Sequence, residues 1–263
     1  MPDLGLIPRV GGWKSGDQPR LVSLTEPHSP AAEAYRTLRT SIQFVGLDQP
    51  LRVIQVTSAT AEEGKSTTLA NLAVALANAG DRVCMCCCDL RRPRIHEFFG
   101  LDNKIGFTSV ILGRESMSVA VQPVPGVKRL SLLASGPLPP NPSELLASDR
   151  AREVIRSLAS TFDVVLVDSP PVLPVTDAAI ISAVADVTIV VIAMGRSTRR
   201  EISRTVEVLH QVHATIIGTV LNGVSGESAD GYYRDSGYYQ RSTKPGDDQL
   251  ESAELLEPVA GKK

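Results

Sequence analysis

The 263-residue chain has few cysteines, and the four it has, Cys84, Cys86, Cys87 and Cys88, fall within five positions of one apolar segment. That excludes a disulfide framework spread over the fold and points to a reducing compartment. Neighbouring side chains on a strand point to opposite faces and do not converge on one ion, so the four read as small buried hydrophobes rather than as metal ligands. An excess of charge of either sign is also missing: 27 Lys and Arg stand against 29 Asp and Glu, for a net charge of -2. Such a chain has no general pull toward nucleic acid or anionic lipid, and nucleic acid is not expected as a partner. No apolar run approaches the roughly 20 residues that cross a bilayer, and the longest candidate, 180–193, is interrupted by Asp186. Residues 1–11 lack the apolar stretch of a secretory signal. A soluble, cytoplasmic chain without internal repeats is expected.

Hydrophobic residues make up 43% of the chain and charged residues 21%, enough apolar surface for a packed core. The length suits one α/β domain with appendages. Residues 1–28, rich in Pro, Gly and polar residues, read as an N-terminal linker. Ser29 and Pro30 then form an N-cap and N1 pair, and Ala34, Leu38, Ile42 and Val45 continue as a helical stripe, with Glu33, Arg36 and Arg39 opposite. From Leu51 onward, apolar β-rich runs at 53–57, 82–88, 129–134, 164–168, 188–193 and 215–221 alternate with helical patterns at 66–79, 150–161, 177–183 and 199–211. Near-continuous apolar strands alternating with helices predict a doubly wound, mostly parallel α/β sheet over 29–225. Residues 226–263 change to Gly, Ser, Asp and Tyr and then to charge, and read as a flexible tail.

The segment Ala59-Thr60-Ala61-Glu62-Glu63-Gly64-Lys65-Ser66-Thr67 lies between a strand and a helix, the setting of a phosphate-binding P-loop. Gly64 lets the backbone approach phosphate, Lys65 reaches the β- and γ-phosphates, and Ser66 offers a hydroxyl to Mg²⁺. Glu63, Gly64, Lys65, Ser66 and Thr67 are thus the candidate ATP-binding residues, with helix N-terminal amides as further donors. The first half is irregular: Ala59 replaces the pattern's first glycine, and Glu62 brings negative charge to a phosphate site. Asp168, ending the run Val164-Val165-Leu166-Val167 before Pro170 and Pro171, projects from a strand's C-terminal edge, as a Walker B carboxylate must. Asp89, after the cysteine strand, is a second acid able to face metal and γ-phosphate. Asn222 ends the last apolar run, where its amide could read adenine or simply form a turn. Arg91, Arg92 and Arg94 could meet phosphate or an acidic neighbour, or form a solvated basic loop.

These motifs together resemble the bacterial tyrosine kinases, from about Ser29 to Tyr239. The Walker A, A′ and B pattern of that family is similar to the segments ending at Lys65-Ser66-Thr67, Asp89 and Asp168. The stretch Glu33-Ala34-Tyr35-Arg36-Thr37-Leu38-Arg39 looks like the family's Glu-x-x-Arg-x-x-Arg helix, which implies ring assembly through Glu33, Arg36 and Arg39. Gly136-Pro137-Leu138-Pro139-Pro140-Asn141-Pro142-Ser143-Glu144-Leu145-Leu146 is similar to a loop and helix typical of these kinases. Tyr232, Tyr233, Tyr238 and Tyr239 look like the autophosphorylated tail cluster. Leu4-Gly5-Leu6-Ile7-Pro8 is similar to the segment that follows the second transmembrane helix in fused members.

The resemblance implies an ATP- and Mg²⁺-dependent protein-tyrosine kinase regulating capsular or extracellular polysaccharide polymerisation and export. It implies Lys65, Asp89 and Asp168 as catalytic residues, and Ser66, Asp89 and Asp168 as metal ligands. It also implies a membrane-embedded chain-length-determinant activator that recruits the chain to the plasma membrane, and a cognate tyrosine phosphatase. One departure matters: the family's A′ strand carries two acids one residue apart, and Cys87 stands in place of the first. A thiol is a poor ligand for a hard cation, so a weakened, ATP-binding scaffold is one alternative. A partition- or Min-type switch ATPase is another, although Thr60 stands where those proteins carry an extra lysine.

Overall fold

The structure is a computed structural model and describes residues 1–11, 21–47 and 49–225. It opens with a strand, β1 (Asp3–Pro8), a single helical turn, α1 (Val22–Thr25), and a long helix, α2 (Pro30–Val45). Next, β2 (Val53–Ser58) leads into α3 (Lys65–Ala79), and β3 (Val83–Cys87) into the short helices α4 (Ile95–Phe98), α5 (Phe107–Ile111) and α6 (Met117–Ala120). The strands β4 (Val121–Pro123) and β5 (Leu130–Leu133) precede α7 (Pro142–Ala147) and α8 (Asp149–Thr161). Then come β6 (Val164–Asp168), α9 (Asp177–Ser182), β7 (Val187–Ala193), α10 (Arg199–Gln211) and β8 (Ile216–Val224).

The strands form one sheet in the order β1-β8-β7-β2-β6-β3-β5-β4. Every pairing is parallel except that of β4 with β5. This is the doubly wound sheet expected from the alternation of apolar runs. Each face has its own core. On one, Val83 and Met85 pack with Leu38, Leu69, Leu72 and Leu76 of α2 and α3. On the other, Cys84, Cys86 and Cys88 pack with Phe107, Ile155 and Leu158 of α5 and α8. The cysteines are free thiols buried as small hydrophobes.

Helix α3 is apolar nearly all round because it is covered nearly all round: Thr68 to Ala77 are all buried. It begins after Gly64 at φ 92° and stops at Gly80 at φ 110°, whose N–H bonds the Ala77 and Leu76 carbonyls. Helix α2 starts as its sequence signals, with the Ser29 hydroxyl accepting from Ala32 N at 3.2 Å and Pro30 at the first position.

The N-terminal segment departs from the sequence reading. Residues 1–28 were expected to be a linker, yet Asp3–Pro8 is an edge strand that pairs with β8 from Asp3↔Thr219 to Pro8↔Val224. Leu4 and Ile7 are buried at 5% and 2% exposure, which contributes about 1.5–3 kcal/mol each. Val22 joins the same core, and Ser23 N donates to Asn71 Oδ1 of α3 at 2.9 Å. The strand is hidden because Pro and Gly interrupt its pattern and its partner lies over 200 residues away. Gly218 makes the fit possible: a Cβ there would sit 2.6 Å from Leu4 Cγ. The tail, with Tyr232, Tyr233, Tyr238 and Tyr239, lies outside the described residues.

Candidate functional site

The P-loop leaves β2 at Ser58 and turns into α3 at Lys65, at the carboxyl edge of the sheet where a doubly wound fold binds ligands. Its curvature depends on Gly64: a Cβ there would fall 2.0 Å from Asn222 Nδ2. Asn222 sits near the end of β8 with its Nδ2 donating to the Glu63 carbonyl at 3.1 Å, so the structure places it against the loop backbone. Thr67 lies in the first turn of α3, where amides lack intrahelical acceptors.

Glu63 is fully buried and braces the loop. One carboxylate oxygen accepts from Thr60 N at 2.9 Å, the other from Ser197 Oγ at 2.5 Å. Ser197, in the turn between β7 and α10, in turn accepts from Ala193 N at 2.9 Å. Sequence reasoning placed Glu63 in the loop but missed Ser197, since 134 residues separate the pair. Glu62 does not crowd the phosphate position as its charge suggested. It turns outward at φ 63° and pairs with Arg196 at 3.0 Å.

Lys65, Asp89 and Asp168 come together as the sequence predicted. Lys65 Nζ lies 3.0 Å from Asp89 Oδ2 and 3.5 Å from Asp168 Oδ1, and Ser66 Oγ lies 2.9 Å from Asp168 Oδ2. Burial pushes the Asp168 carboxyl up to about 6, although the neighbouring Lys65 pulls it down. Burial works to lower the Lys65 ammonium, but Asp168 and Asp89 outweigh it and hold it above its ordinary value. Asp89 is oriented by its own loop: Oδ1 accepts from Arg91 N at 3.2 Å and Arg92 N at 2.9 Å, leaving Oδ2 toward Lys65.

One hydroxyl and two buried carboxylates form an all-oxygen donor set suited to a hard divalent cation. The raised Asp168 carboxyl agrees with this, because it is a buried acid that one lysine does not fully compensate. Ser66, Asp89 and Asp168 therefore fit Mg²⁺. Cys87 does not join them. It is paired across the sheet with Asp168, and burial, with Asp168 and Asp89 beside it, holds its thiol far above the ordinary range and neutral.

Of the basic loop, Arg91 finds an acidic neighbour: its guanidinium bonds Asp177 at 2.8 and 3.0 Å and Ser143 at 3.0 Å. Asp177, fully buried at the start of α9, also accepts from Ser143 Oγ at 2.6 Å, so the A′ loop is tied to α7 and α9. Arg94 makes an exposed pair with Glu97, and Arg92 has only its backbone bond to Asp89 among the described residues. On α2, Arg36 pairs with Glu33 and donates to the Pro27 carbonyl at 2.8 Å, while Arg39 reaches Ala75 O at 3.3 Å. Arg39 Nε is buried without a partner among the described residues. Tyr35, on the same helix, is buried with its hydroxyl pushed well above the ordinary range by desolvation.

Comparison with known proteins agrees with this geometry. The ParA family model, described as NUBPL iron-transfer P-loop NTPase, matches residues 50–231. The tyrosine-protein kinase YwqD of Bacillus subtilis (strain 168) is 41% identical over 218 residues, covering 82% of this chain and 92% of YwqD. The tyrosine-protein kinase wzc of Salmonella typhimurium is 32% identical over 234 residues, covering 89% of this chain but only 32% of wzc. Among solved structures, the kinase domain of the Escherichia coli tyrosine kinase ETK superposes with a TM-score of 0.78 at 27% identity, covering 94% of this chain and 95% of that domain. With this sequence similarity, and a P-loop facing two carboxylates on adjacent strand ends, the chain belongs to the bacterial tyrosine kinases, on a ParA-type P-loop fold.

Proposed function

We propose that the chain is an ATP- and Mg²⁺-dependent tyrosine kinase whose acceptors are Tyr232, Tyr233, Tyr238 and Tyr239 of a neighbouring copy. The observation that carries this is Lys65 held between Asp89 and Asp168 at the mouth of a braced P-loop. Lys65 and the first amides of α3 hold the β- and γ-phosphates, leaving the γ-phosphoryl in line with an incoming hydroxyl. Mg²⁺, when bound, supplies positive charge that offsets what gathers on the transferred group. Ser66, Asp89 and Asp168 keep that charge in place. Asp89, with one oxygen free of backbone bonds, takes the tyrosine proton as the new O–P bond forms and the bond from the γ-phosphorus to the bridging oxygen breaks, releasing ADP. The fifth tyrosine, Tyr35, is a core residue and no acceptor.

The name kinase in the relatives, and the resemblance of the α2 and tail motifs, support a role in capsular or extracellular polysaccharide export. The assembly would be a ring built through Glu33, Arg36 and Arg39. A membrane-embedded activator would recruit the chain to the inner face of the plasma membrane, and a cognate phosphatase would reverse the modification. Among the described residues no helix is long and apolar enough to cross a membrane. A second reading, an ATP-binding scaffold with weakened chemistry, is favoured by the neutral thiol of Cys87 where the family has an acid.

Incubation of the purified chain with MgATP, with and without the cytoplasmic segment of a candidate activator, separates the two. Phosphate mapped by mass spectrometry to the tail tyrosines, and at least 1,000-fold less of it in Lys65→Met by order of magnitude, is the expected result. Bound ATP with no modified tyrosine in any condition would establish the scaffold.

A further inference from the structure

The proline loop that follows β5 does no work in the phosphate site, yet it lines a groove of about 490 Å³. The walls are mainly Leu112, Pro137, Leu138, Pro139, Pro140 and Leu145. Two of these are unusually bare for leucine, Leu112 at 50% exposure and Leu138 at 59%. The frame beneath them is fixed. Gly106 and Gly136 approach so closely that a Cβ on Gly106 would lie 2.2 Å from the Ala134 carbonyl oxygen. Thr108 Oγ1 donates to Pro137 O at 2.9 Å, and Gly136 N donates to Asn103 Oδ1 at 2.9 Å. The groove is therefore a built surface with apolar walls open to solvent.

Its place in the fold ties it to the chemistry. β5 pairs with β3 in parallel, Leu133 beside Cys86, so the proline loop and the Asp89 loop leave adjacent strands at the same edge. Ser143, on the helix that follows the loop, bonds the guanidinium of Arg91, two residues from Asp89. Lys65 follows β2, three strands from β5 in the sheet order, a separation of about 14 Å at the ordinary interstrand spacing.

We propose that this groove is an acceptor-docking subsite that holds one tyrosine pair of a second copy's tail while the other pair is presented to Lys65 and Asp89. The proposal rests on the kinase reading above and deepens it. Three features select this occupant. Prolines and leucines suit an aromatic ring, and the tail carries two Tyr-Tyr pairs, at 232–233 and 238–239. Corresponding tyrosines of the two pairs are six positions apart, up to about 20 Å of extended chain, more than the roughly 14 Å between the ends of β2 and β5. Asp230, Arg234 and Asp235 lie beside the pairs, so the tail carries both signs of charge. The route does as well, with Arg114 and Glu144 in the groove and Arg92 beside Asp89.

The test separates enzyme from acceptor. The enzyme is the full chain with Tyr232, Tyr233, Tyr238 and Tyr239 changed to Ala; the acceptor is the full chain carrying Lys65→Met. Adding Leu112→Asp and Leu138→Asp to the enzyme alters two exposed side chains. Phosphate transferred to the acceptor should fall about tenfold or more in kcat/KM, with the KM for ATP and the melting temperature unchanged. A labelled peptide of residues 226–245 should bind the enzyme and lose that binding in the Asp variant, a readout independent of phosphoryl transfer. Transfer and peptide binding both within twofold of the parent would overturn the subsite. Peptide binding through the groove without any transfer would keep the docking surface and overturn the kinase reading.

Discussion

The two halves of the sheet's carboxyl edge are built in opposite ways. Around β2, β7 and β8 the P-loop is held by buried polar bonds: Glu63 by Thr60 and Ser197, and the Glu63 carbonyl by Asn222. Around β3 and β5 the edge ends in an open groove with half-exposed leucines and prolines. Buried hydrogen bonds fix one geometry and are expensive to leave unmade, which suits a rigid, charged ligand such as triphosphate. Apolar contact is less directional and tolerates different segments of chain. The P-loop side is thus organised in advance, whereas the β3 and β5 side offers an open surface.

Loss of a polar group on the buried side should be felt most strongly. The largest stability effect expected comes from Asp168. Its folded value of about 6 lies above the ordinary 3.8, so the folded chain binds more protons than the unfolded chain between these values. Stability of the nucleotide-free chain without Mg²⁺ should therefore fall as pH rises from about 4 to about 6 and level off above, by up to about 3 kcal/mol. Urea unfolding across this range should show that slope in the parent and lose it in Asp168→Asn. A parent without the slope would show that Lys65 compensates the carboxylate fully.

Ser197→Ala should cost about 1.5–3 kcal/mol of loop stabilisation, because it removes a charge-assisted bond to a buried carboxylate. The KM for ATP should rise about tenfold while kcat stays close to the parent, and Ser197→Thr should restore most of the loss. Steady-state kinetics with ATP as the varied substrate checks this. A fall in kcat alone would place Ser197 outside nucleotide positioning.

The smallest effect sharpens the contrast between buried and exposed polar pairs. Glu62→Gly relieves a left-handed backbone, worth about 1 kcal/mol, and gives up an exposed pair with Arg196 worth about 0–1 kcal/mol. Thermal unfolding should change by less than about 1 kcal/mol, with a small gain favoured. A larger loss would mean that the Arg196 contact matters as the Glu63 brace does.

Much of this was legible in the sequence. The strand preceding Gly64-Lys65-Ser66, the acid ending Val164-Val165-Leu166-Val167 and the acid after the cysteines mark strand ends, and in a parallel sheet strand ends share one edge. The cysteine alternation was legible for the same local reason, since successive side chains of a strand take opposite faces. β1 was not, because Leu4 and Ile7 declare themselves only against Gly218 and β8. Nor was the partner of Arg91, for which phosphate, an acid and solvent were equally open until Asp177 was found 86 residues away.

The amino-acid sequence was enough for the six inner strands of the sheet, the phosphate loop and the identity of the charged groups, because periodicity, glycine positions and strand-ending acids act over a few neighbouring residues. Tertiary structure alone decided which groups are paired, which are neutral and which surface is left open. Ser197 reaches Glu63, burial holds the Cys87 thiol above its ordinary range, and the proline loop becomes a groove only when distant segments meet and exclude water. Burial and long-range pairing are properties of the packed chain, and no local pattern of residues encodes them.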